Sequence, residues 1–235
     1  VAADQAFAQV ESVNIVGYTT TQISSATWYQ IAPTFIPVGG LPTDGMPIND
    51  LFTTGFENGD KLYVWNQTTQ AYDNYTWMDE PYDEEFNIAP AGWADLGEVR
   101  TSEMLKVGQA VFLRKVSGGA TSVVFSGQVE GGVVTTVPSA TWTQVSLPYP
   151  VDVSLNDGIA WTGFQNGDKA YVWNVGTQSY DNYTWMNEPY DEEFNIAPAG
   201  WADLGEVRTS AVLPVGASMF IYKGSSGSGS FQFAQ

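Results

Sequence analysis

The sequence predicts an all-β protein made of two tandem antiparallel β-sandwich domains that are related by internal duplication. Residues 72–102 recur at 180–210 with one difference, Asp79 against Asn187. Short segments rich in β-branched and aromatic residues, bounded by Gly, Pro, Asn or Asp, fill both halves, as in antiparallel sheet proteins. We therefore divide the chain into an extended arm (1–12), a first domain (13–129) and a second domain (130–235).

The elements of the first half follow from local patterns. Strands are predicted over 13–21, 27–31, 61–66, 71–78, 109–115 and 122–129. The segment QTTQ (67–70) forms a hairpin loop, and VGTQ (175–178) is its counterpart. The two NGD segments (58–60 and 166–168) form turns, because Gly adopts positive φ at little cost. One helical turn is expected over 47–52, with Asn49 or Asp50 as its cap.

Composition restricts the classes of function. The chain has no Cys and no His, so it lacks disulfides, thiol chemistry, the commonest general base and the commonest transition-metal ligand. The net charge is −18, and the two copies of the repeated segment together carry −13 of it. Such an acidic surface repels nucleic acid and anionic membranes. The sequence also has no run of about 18 apolar residues, so no membrane span is expected.

The ends of the chain suggest a mode of assembly. An N-terminal segment echoes the junction at 125–130, whereas the last residues (230–235) align with 122–127. One interpretation is a frayed tail left by the duplication. The other is an assembly arm that adds as a strand to the last strand of another molecule and so builds a head-to-tail filament. The arm residues are Phe7, Ala8, Gln9, Val10 and Glu11.

The repeated segment forms a predicted acidic-aromatic contact surface. On strands alternate residues share a face, and most of the aromatic residues are expected in the core. The tyrosine and tryptophan that flank each acidic loop are expected to be the exposed pair. The surface comprises Asp79, Glu80, Tyr82, Asp83, Glu84, Glu85 and Trp93 in the first copy, with Glu188, Tyr190, Asp191, Glu192, Glu193 and Trp201 in the second.

The residues of this surface suggest three chemistries. Calcium is the one candidate cofactor, and its candidate ligands are Asp83, Glu84, Asp191 and Glu192. The spacing is not that of an EF-hand, and the favoured alternative is an acidic loop that is simply solvated. Paired carboxylates also occur in glycoside hydrolases, but two identical sites on a small β chain without His argue against catalysis. Aromatic side chains beside carboxylates suit sugar rings, so an extracellular polysaccharide is the alternative partner.

Several motifs carry a resemblance. VNIVGY (13–18), SATW, GDKLYVWN, GW-A-D, VGQAVFLRK and TSVVFSGQV stand in this order along the first half. In this arrangement the chain resembles uncharacterised exported bacterial all-β proteins with an N-terminal VGY strand and repeated G-x-x-x-F and V-x-F-x-G strands. The resemblance implies export and a compact β unit, and it brings no catalytic residue. The start at Val1 agrees with removal of a signal peptide.

These observations together predict a function. We expect a non-enzymatic structural protein, extracellular or at the cell surface, that self-assembles as a homopolymer through its N-terminal arm. The repeated acidic-aromatic surface would make lateral or cation-bridged contacts. The alternative is a bivalent carbohydrate-binding protein that uses the aromatic-acidic surfaces.

Overall fold

The computed structural model of the chain describes residues 16–36, 45–106, 108–116, 118–129, 134–147 and 150–233. Within these ranges the regular structure is almost entirely β, in several antiparallel sheets, which confirms the all-β part of the predicted fold class. Among the described residues no helix has the length and apolarity needed to cross a membrane. The predicted arm, 1–12, lies outside the described residues.

The first half is organised around a five-stranded antiparallel sheet. Its described elements are β1 (Val16–Ile23), β2 (Trp28–Ile31), β3 (Met46–Pro47), α1 (Ile48–Leu51), β4 (Lys61–Asn66), β5 (Ala71–Met78), β6 (Gly92–Ala94), β7 (Met104–Leu105), β8 (Val111–Arg114) and β9 (Thr121–Gln128). The large sheet has the order β2-β8-β4-β5-β6, while β1 pairs with β9 and β3 with β7.

The second half repeats this arrangement. Its described elements are β10 (Val134–Val137), β11 (Trp142–Ser146), β12 (Val153–Ser154), β13 (Ile159–Thr162), β14 (Lys169–Asn174), β15 (Ser179–Met186), β16 (Gly200–Ala202), β17 (Val212–Leu213), β18 (Ser218–Tyr222) and β19 (Gly229–Phe233). The large sheet has the order β11-β18-β14-β15-β16, which matches the first half strand for strand. The halves differ at β19, which pairs with both β10 and β13.

The local predictions hold at the hairpins and fail at the helix cap. The loops 67–70 and 175–178 join β4 to β5 and β14 to β15, as expected. Helix α1 lies within the predicted helical turn, but neither Asn49 nor Asp50 caps it, since Pro47 stands at its N-cap without a side-chain hydrogen bond. The Asn49 amide instead binds the neighbouring chain: its Oδ1 accepts from Trp93 N at 2.7 Å, and its Nδ2 donates to the carbonyls of Trp93 and Thr101.

Each half has its own apolar core. One cluster is drawn from residues 23–125 and the other from 137–231. In each, one face of the five-stranded sheet packs against the remaining strands, and a tryptophan of the GWA strand lies at the centre with no exposed surface. Gly92 precedes the first of these tryptophans because a Cβ there would collide with the Asn49 side chain.

A buried ion pair fixes the NGD turn of each half to the strand beside it. Lys115 Nζ lies 3.1 Å from Asp60 Oδ2, and both side chains are almost wholly buried. The Asp60 carboxylate also accepts from the backbone N–H groups of Val116 and Glu57, so each oxygen has a donor. Lys223 and Asp168 form the equivalent pair at 3.4 Å.

Candidate functional site

The two halves contact each other through the second face of each large sheet. Tyr63, Trp65, Tyr72 and Phe112 lie on this face in the first half, and Tyr171, Trp173, Tyr180 and Phe220 occupy the same places in the second. The ring centroids of Trp65 and Phe220 are 4.9 Å apart, and those of Trp173 and Phe112 are also 4.9 Å apart. The contacts therefore recur with the halves exchanged, and the interface has approximate two-fold symmetry.

A glutamine at the end of each hairpin loop forms hydrogen bonds to the backbone of the other half at this interface. Gln178 Nε2 donates to Trp28 O at 3.1 Å, and its Oε1 accepts from Trp28 N at 2.9 Å. Gln70 makes the same two bonds with Trp142, at 3.1 and 2.8 Å. Each glutamine has a φ of 54°. The exposed backbone of one edge strand in each half is thereby paired by a side chain of the other half.

The acidic loops are held in place by hydrogen bonds from backbone amides to aspartate side chains. Asp83 Oδ1 accepts from the backbone N–H groups of Glu85 at 2.9 Å and Asn87 at 2.8 Å. Asp95 Oδ1 likewise accepts from Gly97 and Val99. Donation from Asn87 lowers the pKa of the Asp83 carboxyl below its usual value, and Asn195 does the same for the pKa of Asp191. These aspartates stabilise the loop conformation.

The loops expose apolar side chains in both copies. Phe86, Ile88 and Leu96 are 74%, 68% and 87% exposed, and their counterparts in the second copy have nearly the same exposure. The counterparts are Phe194, Ile196 and Leu204. We call each of these two sets of three residues an apolar loop surface. Sequence reasoning missed them, although an apolar residue between acidic ones on a segment without strand alternation was a usable signal.

The predicted contact surface is only partly assembled by the fold. Tyr82 and Tyr190 are 38% and 39% exposed, and Asp79, Glu80, Glu84, Glu85, Glu188, Glu192 and Glu193 are exposed. The prediction that Trp93 and Trp201 are exposed is wrong, since both are fully buried in the cores. Trp93 is held there by its indole, which donates to Phe52 O at 3.0 Å. The proposed aromatic pairs for sugar binding therefore do not form on the surface.

No group of three or more acidic side chains suited to a metal ion occurs among the described residues. The candidate calcium ligands Asp83 and Asp191 instead accept hydrogen bonds from the loop backbone. Glu84 and Glu192 point outward, with exposed side chains. Calcium binding stays a prediction, and the exposed glutamates are the groups that remain for a bridge between molecules.

A cleft of about 430 Å³ lies where the first half meets β11. It runs from the end of β4 past the segment after β7, and it is lined from both halves. Trp65, Gln67, Asp73 and Glu103 belong to the first half, and Gln144 belongs to the second. This cleft was not anticipated from the sequence, because the residues that form it are distant along the chain.

Comparison with known proteins gives no relative: no family model, no curated protein and no solved structure matches the chain. The function is therefore inferred from geometry and charge.

Proposed function

We propose that this chain is a non-enzymatic structural subunit, extracellular or at the cell surface, that self-associates into a filament or surface layer. One observation carries the proposal: the same exposed apolar residues stand on the same two hydrogen-bonded loops, those of Asp83 and Asp95, and on their counterparts in the second half. Exposed apolar residues grouped on neighbouring loops are typical of interaction surfaces. A body that presents this surface twice can contact two neighbours and so extend an assembly.

We also infer that the two halves are tandem β-sandwich domains, 13–129 and 130–235, that arose by internal duplication. The identical order of the large sheets supports this inference. Matching backbone conformations in the two halves support it further. Positive φ occurs at Ala26, Gln70, Phe86 and Glu98, and it occurs at their counterparts in the second half as well. Positive φ in non-glycine residues is uncommon, so four matched pairs indicate a shared origin.

Charge determines when the lateral contacts can form. Each apolar loop surface is surrounded by carboxylates such as Glu84, Glu85, Glu192 and Glu193, so two such surfaces repel each other at low ionic strength. Divalent cations or high salt reduce this repulsion. The proposal therefore includes cation-bridged lateral contacts, and the head-to-tail contact is assigned to the arm, 1–12.

The test compares assembly by light scattering after size-exclusion chromatography and by negative-stain electron microscopy, with and without calcium. Replacing Phe86 and Phe194 by Ser should abolish lateral association, whereas deleting 1–12 should abolish head-to-tail growth. Val151→Ser is the matched control, because Val151 is 57% exposed and lies outside the loops. A chain that stays a 25.5 kDa monomer in every condition would refute the proposal.

The alternative, a bivalent carbohydrate-binding protein, loses its main support on these loops. Two of its four aromatic residues, Trp93 and Trp201, are buried. Tyr82 and Tyr190 alone offer one partly exposed ring per loop, which is a poor platform for a sugar.

A further inference from the structure

We propose that the cleft between the first half and β11 is a binding site for a neutral saccharide. This proposal does not rest on self-assembly, since the cleft shares no residue with either apolar loop surface. Its volume of about 430 Å³ lies within the range of small-molecule sites.

A buried amide without a partner lines the cleft. Gln144 is 7% exposed, and neither its Nε2 nor its Oε1 has a hydrogen-bond partner within the described structure. Burial of an amide without partners is costly. Both atoms have almost no exposed surface, so the side chain must turn towards the cleft to meet a ligand. A ligand hydroxyl group, which both donates and accepts, would then satisfy them.

The cleft is open because the pseudo-symmetry of the interface is broken there. On the opposite side Trp173 Nε1 donates to Trp28 O at 3.2 Å and so ties the hairpin to the edge strand. Trp65 Nε1 is directed elsewhere, to Gln67 Oε1 at 3.3 Å. The residue equivalent to Gln67 is Val175, which cannot accept such a bond. The one substitution therefore changes the direction of the indole.

Three more lining residues differ between the two sides in the same way. The first-half residues Gln67, Glu103, Lys106 and Gln109 line the cleft. Their counterparts on the opposite side of the interface are Val175, Ala211, Pro214 and Ala217. The neighbouring repeat, 72–102, has one change over its length. At these four positions polar side chains are present on one side of the interface only. This is expected if one of two equivalent clefts binds a ligand.

The lining favours an uncharged ligand with many hydroxyl groups. The carboxylates Asp73 and Glu103 outnumber Lys106, so an anion would be repelled. Carboxylates and amides hydrogen-bond hydroxyl groups, and the Trp65 indole adds an aromatic surface for a sugar ring. A small apolar ligand would leave the Gln144 amide without a partner.

The test is isothermal titration calorimetry of the full chain with three neutral hexasaccharides: cellohexaose, laminarihexaose and hexa-N-acetylchitohexaose. At least one should bind with a Kd of about 1 mM or tighter. Gln144→Met should weaken that binding at least about tenfold, since it removes the amide and keeps the shape. Gln30→Met is the matched control, because Gln30 is the equivalent buried amide on the opposite side of the interface.

A second variant keeps the proposal falsifiable if Gln144→Met perturbs the fold. The triple change Gln67→Val, Glu103→Ala and Gln109→Ala installs the residues that the second half already carries, and it should abolish binding while the melting temperature stays near that of the parent. The proposal fails if none of the three saccharides binds, if Gln30→Met weakens binding as much as Gln144→Met, or if the triple variant binds like the parent.

Discussion

Gln178 pairs both backbone groups of Trp28, a residue 150 positions earlier in the chain: its Nε2 donates to Trp28 O at 3.1 Å and its Oε1 accepts from Trp28 N at 2.9 Å. Gln70 does the same for Trp142. A side-chain amide thus extends the hydrogen bonding of an edge strand in the other half. The two halves form one body through this exchange and through the aromatic rings beside it.

We predict that loss of either glutamine destabilises the chain, and that loss of Gln70 costs more than loss of Gln178. Gln70→Ala leaves the half-buried N–H and carbonyl of Trp142 without this partner, at a cost of about 1–3 kcal/mol in the free energy of unfolding. Gln178→Ala should cost about 1 kcal/mol or less, because the Trp28 site is exposed and the Trp28 carbonyl still accepts from Trp173 Nε1. The double variant should show the sum, because the two sites share no residue. Urea unfolding measures this, with Thr69→Ala in the same loop as the control. A cost below a few tenths of a kcal/mol would show that the aromatic rings alone hold the halves together.

The two buried tryptophans should respond differently to the same substitution. Trp93 Nε1 donates to Phe52 O, whereas Trp201 Nε1 has no partner in the described structure. Trp93→Phe therefore leaves a buried carbonyl unpaired, and it should cost about 1 kcal/mol more than Trp201→Phe. Both variants lose the same ring volume, so each serves as the other's control in thermal unfolding. Equal costs would contradict the assigned role of the Trp93 indole.

The sequence allowed prediction of what depends on neighbours along the chain. The hairpin loops 67–70 and 175–178, the NGD turns and the strands beside them are specified within a few residues, so their patterns were readable. The internal repeat likewise predicted that the halves would resemble each other, and the order of the large sheets agrees.

Contacts between residues that are distant along the chain could not be predicted in the same way. Trp93 stands in a three-residue strand beside acidic loops, and it is buried because Asn49, 44 positions earlier, binds its backbone. Tyr63 and Trp65 share a face, but both faces of their sheet are covered, so alternation does not show which face meets the other half. The cleft at Gln144 depends on that same unpredicted contact.

The buried ion pairs give a third prediction. Asp60→Asn leaves the Lys115 ammonium without its counter-charge at a site with 1% exposure, so it should cost about 3–5 kcal/mol in the free energy of unfolding. Asp60→Asn combined with Lys115→Met should recover part of that loss. Asp157→Asn is the control, because Asp157 pairs with Arg208 at the surface, where removal costs about 1 kcal/mol or less. If Asp60→Asn costs no more than this control, the pair does not fix the turn.

The last prediction concerns alkaline pH and the tyrosines at the centre of the interface. Burial raises the pKa of Tyr180 to about 12, and burial together with the adjacent Tyr180 raises the pKa of Tyr72 well above its usual value. Burial also raises the pKa of Tyr75 and Tyr183 in the two halves. In the unfolded chain tyrosine ionises near pH 10, so the folded state holds these protons to a higher pH than the unfolded state does.

Since the folded pKa values are raised, the stabilisation is fully present below about pH 10 and is lost as pH rises from there through the folded pKa. The double variant Tyr72→Phe and Tyr180→Phe removes two of the four tyrosines named above, whose pKa values are raised in the folded state. The decline of unfolding free energy between pH 10 and 12 should therefore become about half as steep. Tyr18→Phe, at a tyrosine that is 75% exposed, is the control variant. An unaltered decline in the double variant would mean that Tyr72 and Tyr180 ionise as readily in the folded chain as in the unfolded one.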